Sequence, residues 1–402
     1  MKLRFVIIML TVLSFQMFAG DFVKTRGKEI ILPSGEPILL KGMNIGNWLL
    51  PEGYMFKFKK PNSPRLVTSV FAELIGPDEA KKFWVNFQDV YITHEDIKFI
   101  KRLGLNSIRL PFHYALFNDE TFLHNTQARG FELFARILDW CRKESLYVIL
   151  DMHGAPCGQT GDNIDDSWGY PWLFTSEDCQ NEFIKIWKLI AEKYADDKII
   201  IGYDLLNEPI AHYFEEDGLY EKLEPLYKKA TAAIREVDKN HIIFLGGAKW
   251  NTNFSVFGEP FDDNLVYTFH KYWMEPVQEQ IQEYLDFSEK YNVPLYLGES
   301  GENSDEWVNN FRTLLEQHNI GWCFWPYKKL ESSAGIVQIK YPSNYETIMD
   351  YAEKPRDNYQ FIRENRLDQA VVKQILAEYL ENCNLKKCEA NEGYIKALGL
   401  TD

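Results

Sequence analysis

The sequence predicts an α/β fold, a single (β/α)8 TIM barrel with extended βα loops and a C-terminal helix. From residue 40 onward, short apolar runs alternate with longer amphipathic stretches, which indicates repeated βα units and a parallel sheet. Most runs are continuously apolar, as strands covered on both faces are. A doubly wound open sheet is the alternative, but no glycine-rich phosphate loop follows any run. The predicted strands are Leu40–Ile45, Ser107–Leu110, Tyr147–Asp151, Ile199–Leu206, His241–Leu245, Leu265–Phe269, Pro294–Gly298 and Gly321–Trp325.

The intervening stretches carry helix signals. In Asp178–Tyr194, the residues Phe183, Trp187 and Ile190 recur at helical spacing, which predicts a helix packed on the sheet. Thr93 begins another helix with a capping-box pattern, and that helix ends at Leu103 before a glycine.

The later units are less regular. Gly246–Asn264 is rich in Asn, Gly and Pro, so the fifth helix is expected to be a single turn or absent. Lys328–Asp357 is interpreted as a long loop, followed by a final helix near Asp368–Glu381 and a polar tail. No linker or repeat divides the chain, so residues 21–402 are expected to form one catalytic domain without a separate carbohydrate-binding module.

Composition limits the classes of function. The chain has 402 residues with 46% hydrophobic and 26% charged content, which is typical of a compact soluble protein. Its net charge of −15 argues against a nucleic-acid partner, because such proteins present a basic face.

Residues 1–20 have the layout of a secretory signal peptide. Lys2 and Arg4 precede an apolar run, Phe5–Phe18, which stops at Ala19 and Gly20, where cleavage is expected. We therefore expect a secreted or periplasmic protein that is soluble and off the membrane after cleavage.

Six cysteines are too few for a disulfide-built scaffold, although an exported protein can carry one or two bridges. Cys141 and Cys323 fall in helix and strand patterns and are expected to be buried thiols. The plausible disulfide pairs are Cys157 with Cys179 and Cys383 with Cys388.

Polar side chains gather where the predicted strands end, which is where a barrel of this kind places its site. Burying so many polar groups at one rim is costly, so a shared function is indicated. They are Asn44, Arg109, His153, Asn207, Glu208, Trp250, Asn251, His270, Tyr272, Glu299 and Trp325.

Glu208 and Glu299 end the fourth and seventh strands and are expected to face each other across the barrel mouth. Such a pair suits a retaining glycosidase, in which one carboxylate attacks the anomeric carbon and the other protonates the leaving oxygen. If Arg109 and Tyr272 hydrogen-bond Glu299, they would keep it ionised as the nucleophile. Glu208 would then serve as acid and base, and Asn207 would hold the sugar 2-hydroxyl.

An ordered set of segments resembles glycoside hydrolase family 5, the cellulase family, over about residues 35 to 330. The segments are Gly42–Trp48, Ile108–Pro111, Asp151–Pro156, Leu206–Pro209, His270–Tyr272, Leu297–Ser300 and Gly321–Trp325.

The resemblance implies a retaining hydrolase of β-glycosides, with Glu208 as acid/base and Glu299 as nucleophile. It implies that the supporting residues around the cleaved sugar are Arg109, His153, Asn207, His270, Tyr272 and Trp325. Gly42–Tyr54 looks most like the exo-β-1,3-glucanase branch, in which Glu52 would contact the terminal sugar. Residues 157–167 and the loop after Trp325 depart from that branch.

The expected substrate is therefore a β-glucan polysaccharide or oligosaccharide with β-1,4 or β-1,3 bonds, cleaved by a monomer. A β-mannanase, a glycolipid-cleaving β-glycosidase and a transglycosylase share the same catalytic set, and a non-catalytic carbohydrate-binding protein is a further alternative. The mechanism needs no cofactor or metal, and the acidic loop Asp162–Asp166 lacks EF-hand spacing.

The aromatic content is high, with 27 Phe, 22 Tyr and 11 Trp. Sugar rings present apolar C–H faces, so a site for glucans needs flat aromatic surfaces. Trp325 is the best candidate, and the residues expected at the rim with it are Trp48, Tyr54, Trp168, Trp172, Trp250, Tyr272 and Trp273.

Overall fold

The structure, a computed structural model, describes residues 22–118 and 127–401. Its centre is a closed barrel of eight parallel strands, in which each strand pairs with the next and the last pairs with the first. An antiparallel hairpin of β1 (Lys24–Arg26) and β2 (Glu29–Ile31) precedes the barrel. The barrel strands are β3 (Lys41–Asn44), β4 (Ser107–His113), β5 (Tyr147–Gly154), β6 (Ile200–Asp204), β7 (Ile242–Gly246), β8 (Leu265–His270), β9 (Leu295–Glu299) and β10 (Gly321–Phe324).

The barrel closes through the pairing of β10 with β3, where Trp322 lies beside Lys41 and Phe324 beside Met43. Inside it, aliphatic and aromatic side chains such as Ile149, Phe244 and Tyr296 form a buried cluster that also includes Val23 and Ile30 of the hairpin region. The hairpin therefore packs on the barrel interior at the end away from the strand carboxyl ends, and it leaves the opposite mouth open for a site.

Helices surround the barrel and also extend beyond it. Their bounds are α1 (Pro64–Ile75), α2 (Pro77–Val90), α3 (His94–Arg102), α4 (Gln127–Glu144), α5 (Glu177–Tyr194), α6 (Tyr220–Val237), α7 (Ala248–Asn251), α8 (Gln282–Tyr291), α9 (Asp305–Gln317), α10 (Glu346–Ala352), α11 (Tyr359–Asn365), α12 (Gln369–Asn382) and α13 (Glu392–Ala397).

All eight predicted strands are confirmed, and so are the predicted helices. Thr93 caps α3 in a capping box with Asp96, whose Oδ2 accepts a hydrogen bond from the Thr93 backbone N–H at 2.8 Å. The fifth unit has only the single turn α7 and a short 3-10 turn at Phe254–Val256, because its residues favour turns over a continuous helix.

The interpretation of Lys328–Asp357 as a loop is wrong. The segment contains β11 (Lys328–Leu330), β12 (Val337–Ile339) and α10, and β12 pairs with β13 (Glu389–Ala390) from the supposed tail. Lys328 is fully buried, with its Nζ 2.6 Å from Asp96 and 3.0 Å from the backbone oxygen of Cys383. This buried, paired lysine anchors the sheet. A lysine is more typical of a loop than of a buried strand, which explains why the sequence predicts a loop here.

The helices α1 and α2 build a second aromatic core with the C-terminal helix α12. Phe71 lies 4.7 Å from Phe83, and Phe56 lies 5.7 Å from Tyr379, measured between ring centroids. The cluster comprises Phe56, Phe58, Phe71, Phe83, Trp84, Phe87 and Tyr379. Part of the aromatic content therefore serves this core.

The predictions for the cysteines are confirmed in part. Cys157 and Cys179 form a disulfide, and Cys141 and Cys323 are buried thiols, as expected. The suggested pair of Cys383 and Cys388 is contradicted, because both are free thiols. The Cys388 thiol instead donates to the backbone oxygen of Asn382 at the end of α12.

Among the described residues, no helix has the length and apolar character needed to cross a membrane. The predicted signal peptide, residues 1–20, lies outside the described residues. The assignment of residues 21–402 to one catalytic domain stays a prediction.

Candidate active site

A cavity of about 620 Å³ opens at the carboxyl ends of the barrel strands. This is the end at which barrels of this class place their sites, because the βα loops converge there. Its lining residues are Glu52, Tyr54, His153, Asp162, Asn163, Ile164, Glu208, His212, Trp250, Thr252, His270, Tyr272, Trp273, Glu299, Glu302 and Trp325.

Two carboxylates face each other in this cavity, as the strand order predicts. Glu299 ends β9, and Glu208 lies four residues beyond the end of β6. An oxygen of each lies within 4.8 Å of the other and of a ring nitrogen of His270. Both side chains are buried, so their charges interact strongly.

Arg109 lies beneath the pair and binds three carboxylates. Its Nη1 donates to Glu299 at 2.6 Å and its Nε to Asp204 at 2.8 Å, while its Nη2 lies 3.0 Å from Asp151. The guanidinium also donates to the amide oxygens of Asn44 and Asn207. Its N–H donors are therefore directed at fixed oxygen atoms, and the guanidinium fixes the positions of the side chains at the base of the cavity.

This buried cluster contains more negative than positive charge. Burial raises the pKa of Asp151 to about 7, against the lowering effect of Arg109. Burial likewise raises the pKa of Asp204 to about 7, with Arg109 opposing and Asp151 adding to the rise. One guanidinium cannot compensate three buried carboxylates, so the cluster retains a proton near neutral pH.

The tautomer of His153 follows from its neighbours. Its Nδ1 donates to Asp151 Oδ2 at 2.7 Å, which leaves Nε2 to accept from the amide of Asn207 at 3.3 Å. Burial lowers the pKa of His153 to about 3, so the ring is neutral. Both ends of the Asn207 amide are therefore engaged, one by Arg109 and one by His153.

The two catalytic candidates have different surroundings. Burial raises the pKa of Glu208 well above its usual value, and the carboxylates of Glu299 and Glu52 raise it further. Burial also raises the pKa of Glu299, but Arg109 and then His153 counteract that rise. The predicted hydrogen bonds are present, since Tyr272 Oη also donates to Glu299 at 3.2 Å.

The backbone around Glu208 adopts a strained path. Glu208 and Ile210 have φ values of 45° and 55°, in the left-handed region that residues with side chains rarely adopt. Two residues of the loop after β5 hold this path: Thr160 Oγ1 donates to the Glu208 backbone oxygen at 2.8 Å, and Gln159 Nε2 donates to that of Asn207 at 2.9 Å. This strain fits a site whose geometry the surrounding loops impose.

His270 connects the acid candidate to the barrel wall. Its Nδ1 lies 2.9 Å from Glu208 Oε1 and 3.8 Å from Glu299 Oε2, and its Nε2 lies 3.2 Å from the amide of Asn251. Burial lowers the pKa of His270 well below its usual value, so the ring is neutral and donates to Glu208 through Nδ1.

The loops that follow β3, β9 and β10 meet on one side of the cavity and form a wall there. Lys329 forms an ion pair with Glu302, and its Nζ lies 4.6 Å from the centre of the Tyr54 ring. Within this wall Glu52 is buried, and its Oε1 has no hydrogen-bond partner among the described residues. Burial raises the pKa of Glu52 well above its usual value, with Glu299 and Glu302 adding to the rise.

Trp325 lines the cavity beside this wall. Its ring stacks on His153 at 5.3 Å with 8° between the planes, and its Nε1 donates to the Tyr54 hydroxyl. A Cβ at Gly46 would lie 2.4 Å from the Trp325 ring, so only glycine leaves room for this indole.

The structure places most predicted site residues in or beneath the cavity. Asn44, Arg109, Asn207 and Asn251 are fully buried supports, while the remaining predicted residues line the cavity. The expectation that Trp48 lies at the rim is wrong, because Trp48 is buried and its Nε1 donates to the backbone oxygen of Gln88. Trp168 and Trp172 are exposed but do not line the cavity, and Arg65 lies 4.3 Å above the Trp168 ring.

Sequence reasoning assigned no role to Asp151, Asp204, Gln159, Thr160 or the Glu302–Lys329 pair. The two aspartates could have been recognised from the sequence, because a carboxylate within an apolar strand requires a buried partner. The other residues act through loop contacts that no local pattern reveals.

The acidic loop after β5 is held by hydrogen bonds. Asp165 accepts from the backbone N–H groups of Thr160 and Ser167, and Asp166 Oδ1 accepts from the N–H of Arg65 at 3.0 Å.

Two groups of residues have ligand atoms close enough to hold a cation: Asp151, His153 and Glu299, and Glu208, His270 and Glu299. Arg109 donates to Glu299 in both groups, and its charge disfavours a metal there.

Comparisons with known proteins agree with this geometry. The model of the family described as cellulase (glycosyl hydrolase family 5) matches residues 68–330. A beta-xylosidase of Phanerodontia chrysosporium is 28% identical over 366 residues, covering 81% of this chain and 75% of the relative. A probable glucan 1,3-beta-glucosidase A of Aspergillus fumigatus is 25% identical over 243 residues, covering 59% of this chain and 56% of the relative.

Similarity to solved structures extends further along the chain. The crystal structure of an endogalactoceramidase matches with a TM-score of 0.62 at 16% identity, covering 94% of this chain and 84% of that one. At this identity the likeness concerns the fold alone.

A barrel with paired carboxylates at its mouth, together with these matches, defines a glycosidase that hydrolyses O-glycosyl compounds. The chain belongs to glycosyl hydrolase family 5, whose members share a retaining mechanism.

Proposed function

We propose that this protein hydrolyses β-glucosidic bonds of a glucan with Glu299 as nucleophile and Glu208 as acid/base. The observation that carries the assignment is the approach of the two carboxylates, whose oxygens lie within 4.8 Å. Retaining glycosidases hold their carboxyl groups about 5–5.5 Å apart, whereas inverting enzymes leave about 6.5–9.5 Å for a water molecule.

The surroundings of each carboxylate support its role. Arg109 and Tyr272 hydrogen-bond Glu299 and favour its anionic form, which a nucleophile requires. The pKa of Glu208 is raised by burial and by the Glu299 charge, which favours the protonated form that an acid requires.

The reaction proceeds in two displacements. A Glu299 oxygen forms a bond to the anomeric carbon as the bond to the glycosidic oxygen breaks, and that oxygen takes the proton of Glu208. Glu208, now a carboxylate, removes a proton from water. The water oxygen attacks the anomeric carbon, and Glu299 is released as a carboxylate.

The cavity suits a neutral sugar chain. Carboxylates and neutral histidines offer hydroxyl partners, and Tyr272, Trp250 and Trp325 offer flat apolar faces. Lysine and arginine do not occur among the described lining residues, which disfavours acidic sugars. We propose a β-1,4- or β-1,3-glucan or its oligosaccharides as the substrate.

The wall on this side of the cavity supports attack at a chain end. The loops that carry Tyr54, Glu302 and Lys329 contact one another beside the cavity, which supports a barrier to a glucan chain on this side. Glu52 has a buried, unpartnered oxygen inside this wall that can accept a hydrogen bond from the terminal sugar. An interior segment of a glucan has no terminal sugar that could make this contact.

We also propose that the protein acts outside the cytoplasm. The signal-like residues 1–20 and the Cys157–Cys179 disulfide support export, because disulfides persist in oxidising compartments. N-terminal sequencing of protein recovered from medium or periplasm should begin near residue 20. Recovery of the intact chain from the cytoplasm alone would contradict this proposal.

The decisive experiment measures the activity of variants and the stereochemistry of the product. E299Q and E208Q should each lower kcat/KM on β-glucan oligosaccharides by at least about 10²-fold while the fold is retained. NMR of the first product should show the β anomer. E132Q, on the exposed surface of α4, is the matched control and should keep full activity. Near-normal activity of E299Q or E208Q, or an α product, would refute the role assignment.

A further inference from the structure

The strained backbone at Glu208 lies outside the barrel strand that precedes it. The strand β6 ends at Asp204, and Glu208 follows in the loop beyond it with a φ of 45°. Ile210 is left-handed as well, with a φ of 55°. Residues with side chains rarely adopt this region and keep it only where the surroundings impose it. The direction in which the Glu208 side chain leaves the backbone therefore depends on what contacts this loop.

The 159–161 segment, in the loop after β5, lies beside the chain that follows the acid candidate. The backbone N–H of Ile210 donates to the Gln159 backbone oxygen at 2.8 Å, and that of Ala211 donates to the Thr160 backbone oxygen at 3.0 Å. Both donors come directly after the strained residue. The path of the chain beyond the acid candidate is therefore fixed by this segment.

Side chains of the same segment contact the acid candidate itself and the residue before it. Thr160 Oγ1 donates to the Glu208 backbone oxygen at 2.8 Å, and Gln159 Nε2 donates to the Asn207 backbone oxygen at 2.9 Å. Both donor side chains are fully buried. A buried carbonyl that loses its donor is left unpaired at a cost in free energy, so removal of the Thr160 hydroxyl favours a different backbone path at Glu208.

The 159–161 segment is itself anchored away from the acid candidate. The buried carboxylate of Asp165 accepts hydrogen bonds from two backbone N–H groups of the segment. Just before the segment, Cys157 forms the disulfide with Cys179 of the helix α5. Because these anchors belong to the loop after β5 and to α5, the segment can impose a geometry on the neighbouring loop.

The two carboxylates differ in how they are held. Glu299 ends the strand β9, and its carboxyl group accepts hydrogen bonds from Arg109 and Tyr272. The Glu208 carboxyl group has one hydrogen-bond partner among the described residues, the His270 ring at 2.9 Å. The placement of the Glu208 carboxyl group therefore rests largely on its backbone, whereas that of Glu299 rests on a strand and on side chains.

We propose that Thr160, supported by Gln159, positions Glu208 for proton transfer, so that protonation of the leaving group depends on the 159–161 segment while attack by Glu299 does not. The inference rests on the proposed function and adds positioning residues to it, since neither Thr160 nor Gln159 lines the cavity. In the first displacement Glu208 gives its proton to the glycosidic oxygen, and in the second it takes a proton from water. Each transfer requires the carboxyl oxygen within about 2.6–3.2 Å of the reacting oxygen.

The test compares leaving groups that differ in basicity. Dinitrophenolate is a weak base and departs without a proton from Glu208, whereas the oxygen of a departing sugar requires that proton. In T160V, kcat/KM on β-linked gluco-oligosaccharides should fall by about 10- to 100-fold, while kcat/KM on dinitrophenyl β-glucoside should stay within about 2-fold of the wild-type value. A change that merely disturbed the fold would lower both values together.

The second displacement gives an independent measurement. With dinitrophenyl β-glucoside the first displacement is fast, so kcat reports the attack of water, for which Glu208 is the base. In T160V, kcat and KM should therefore decrease together. Azide, an anion that attacks the anomeric carbon without the help of a base, should restore kcat and give a glycosyl azide as Glu299 is released.

Two further variants serve as controls. T160S keeps the hydroxyl group and should behave as wild type. T231V is the matched control, because Thr231 of α6 is buried and its Oγ1 has no hydrogen-bond partner among the described residues. It loses a buried hydroxyl without losing a hydrogen bond and should leave every value unchanged. T160A replaces T160V if the larger side chain prevents folding, and the same pattern is expected of it.

E208Q separates this inference from the proposed function. It should show the dependence on the leaving group and the rescue by azide to a greater extent than T160V. If E208Q shows both effects while T160V and T160A lose activity equally on all substrates, or on none, the inference is refuted. If E208Q itself shows neither effect, the acid/base assignment on which the inference rests is refuted.

Discussion

Asp151 accepts a hydrogen bond from Nδ1 of His153 at 2.7 Å and lies 3.0 Å from Nη2 of Arg109. One buried carboxylate therefore orients both the ring that contacts Asn207 and the guanidinium that contacts Glu299. The catalytic candidates depend on this residue although it does not itself line the cavity.

D151N should impair catalysis without abolishing the fold. An amide can accept on one side only, so either Arg109 or His153 would face an N–H group. Leaving a buried donor unpaired costs about 1–3 kcal/mol, and kcat/KM should fall by about 10- to 100-fold. D262N tests the same change in the Arg235 ion pair, outside the cavity, and should leave kcat/KM unchanged. Equal activity of D151N and wild type would contradict the positioning role.

Protonation of Asp151 and Asp204 should stabilise the fold on mild acidification. Asp151 and Asp204 have folded-state pKa values raised to about 7, above the usual value of 3.8. Their contribution is complete below pH 4 and is lost as the pH rises through 7, because the folded state binds the protons more tightly. The buried, neutral His153 and His270 act in the opposite sense, because burial lowers their pKa values. The test is therefore a comparison: from pH 7.5 to 5.5, the Tm of the wild type should increase relative to that of D204N. Parallel Tm profiles would show that Asp204 does not titrate in this range.

G46A should displace Trp325 from His153. The added Cβ would overlap the indole at 2.4 Å, and overpacking of this kind costs about 1–3 kcal/mol. We expect a lower Tm, changed tryptophan fluorescence and kcat/KM reduced by about 10-fold or more. G258A serves as the comparison, since its nearest neighbour atom would be 3.6 Å away, and it should change none of the three.

Removal of the Cys157–Cys179 bridge should destabilise the loop that carries Asp162, Asn163 and Ile164. The bridge spans 22 residues, so the C157S/C179S double variant should lose about 3 kcal/mol of unfolding free energy. Thiol titration of the denatured, unreduced wild type should detect the four free cysteines. Two free thiols would indicate that Cys383 and Cys388 pair after all.

The barrel itself could be predicted because its signals are local. Continuous apolar runs such as Leu265–Phe269 report burial on both faces, and chain order then fixes which strand ends meet. Glu208 and Glu299 could be placed opposite each other for the same reason.

Other features depend on contacts that are distant in sequence. The burial of Trp48 depends on Gln88 of α2, and the strand β12 exists because β13 pairs with it. The pairing of Lys329 with Glu302 joins two loops across the barrel mouth. None of these contacts leaves a periodic pattern in the chain, so only the folded structure reveals them.

The left-handed residues at the cavity, among them Glu208, Trp250, Trp273 and Glu302, create a conflict for protein engineering. Glycine or asparagine at such positions would relieve backbone strain, so a screen for thermal tolerance alone would favour these replacements. Each one would remove a side chain that lines the cavity. Selection for heat resistance should therefore be paired with selection for turnover, and gains in Tm should be sought in α1, α2 and α12, whose residues do not line the cavity.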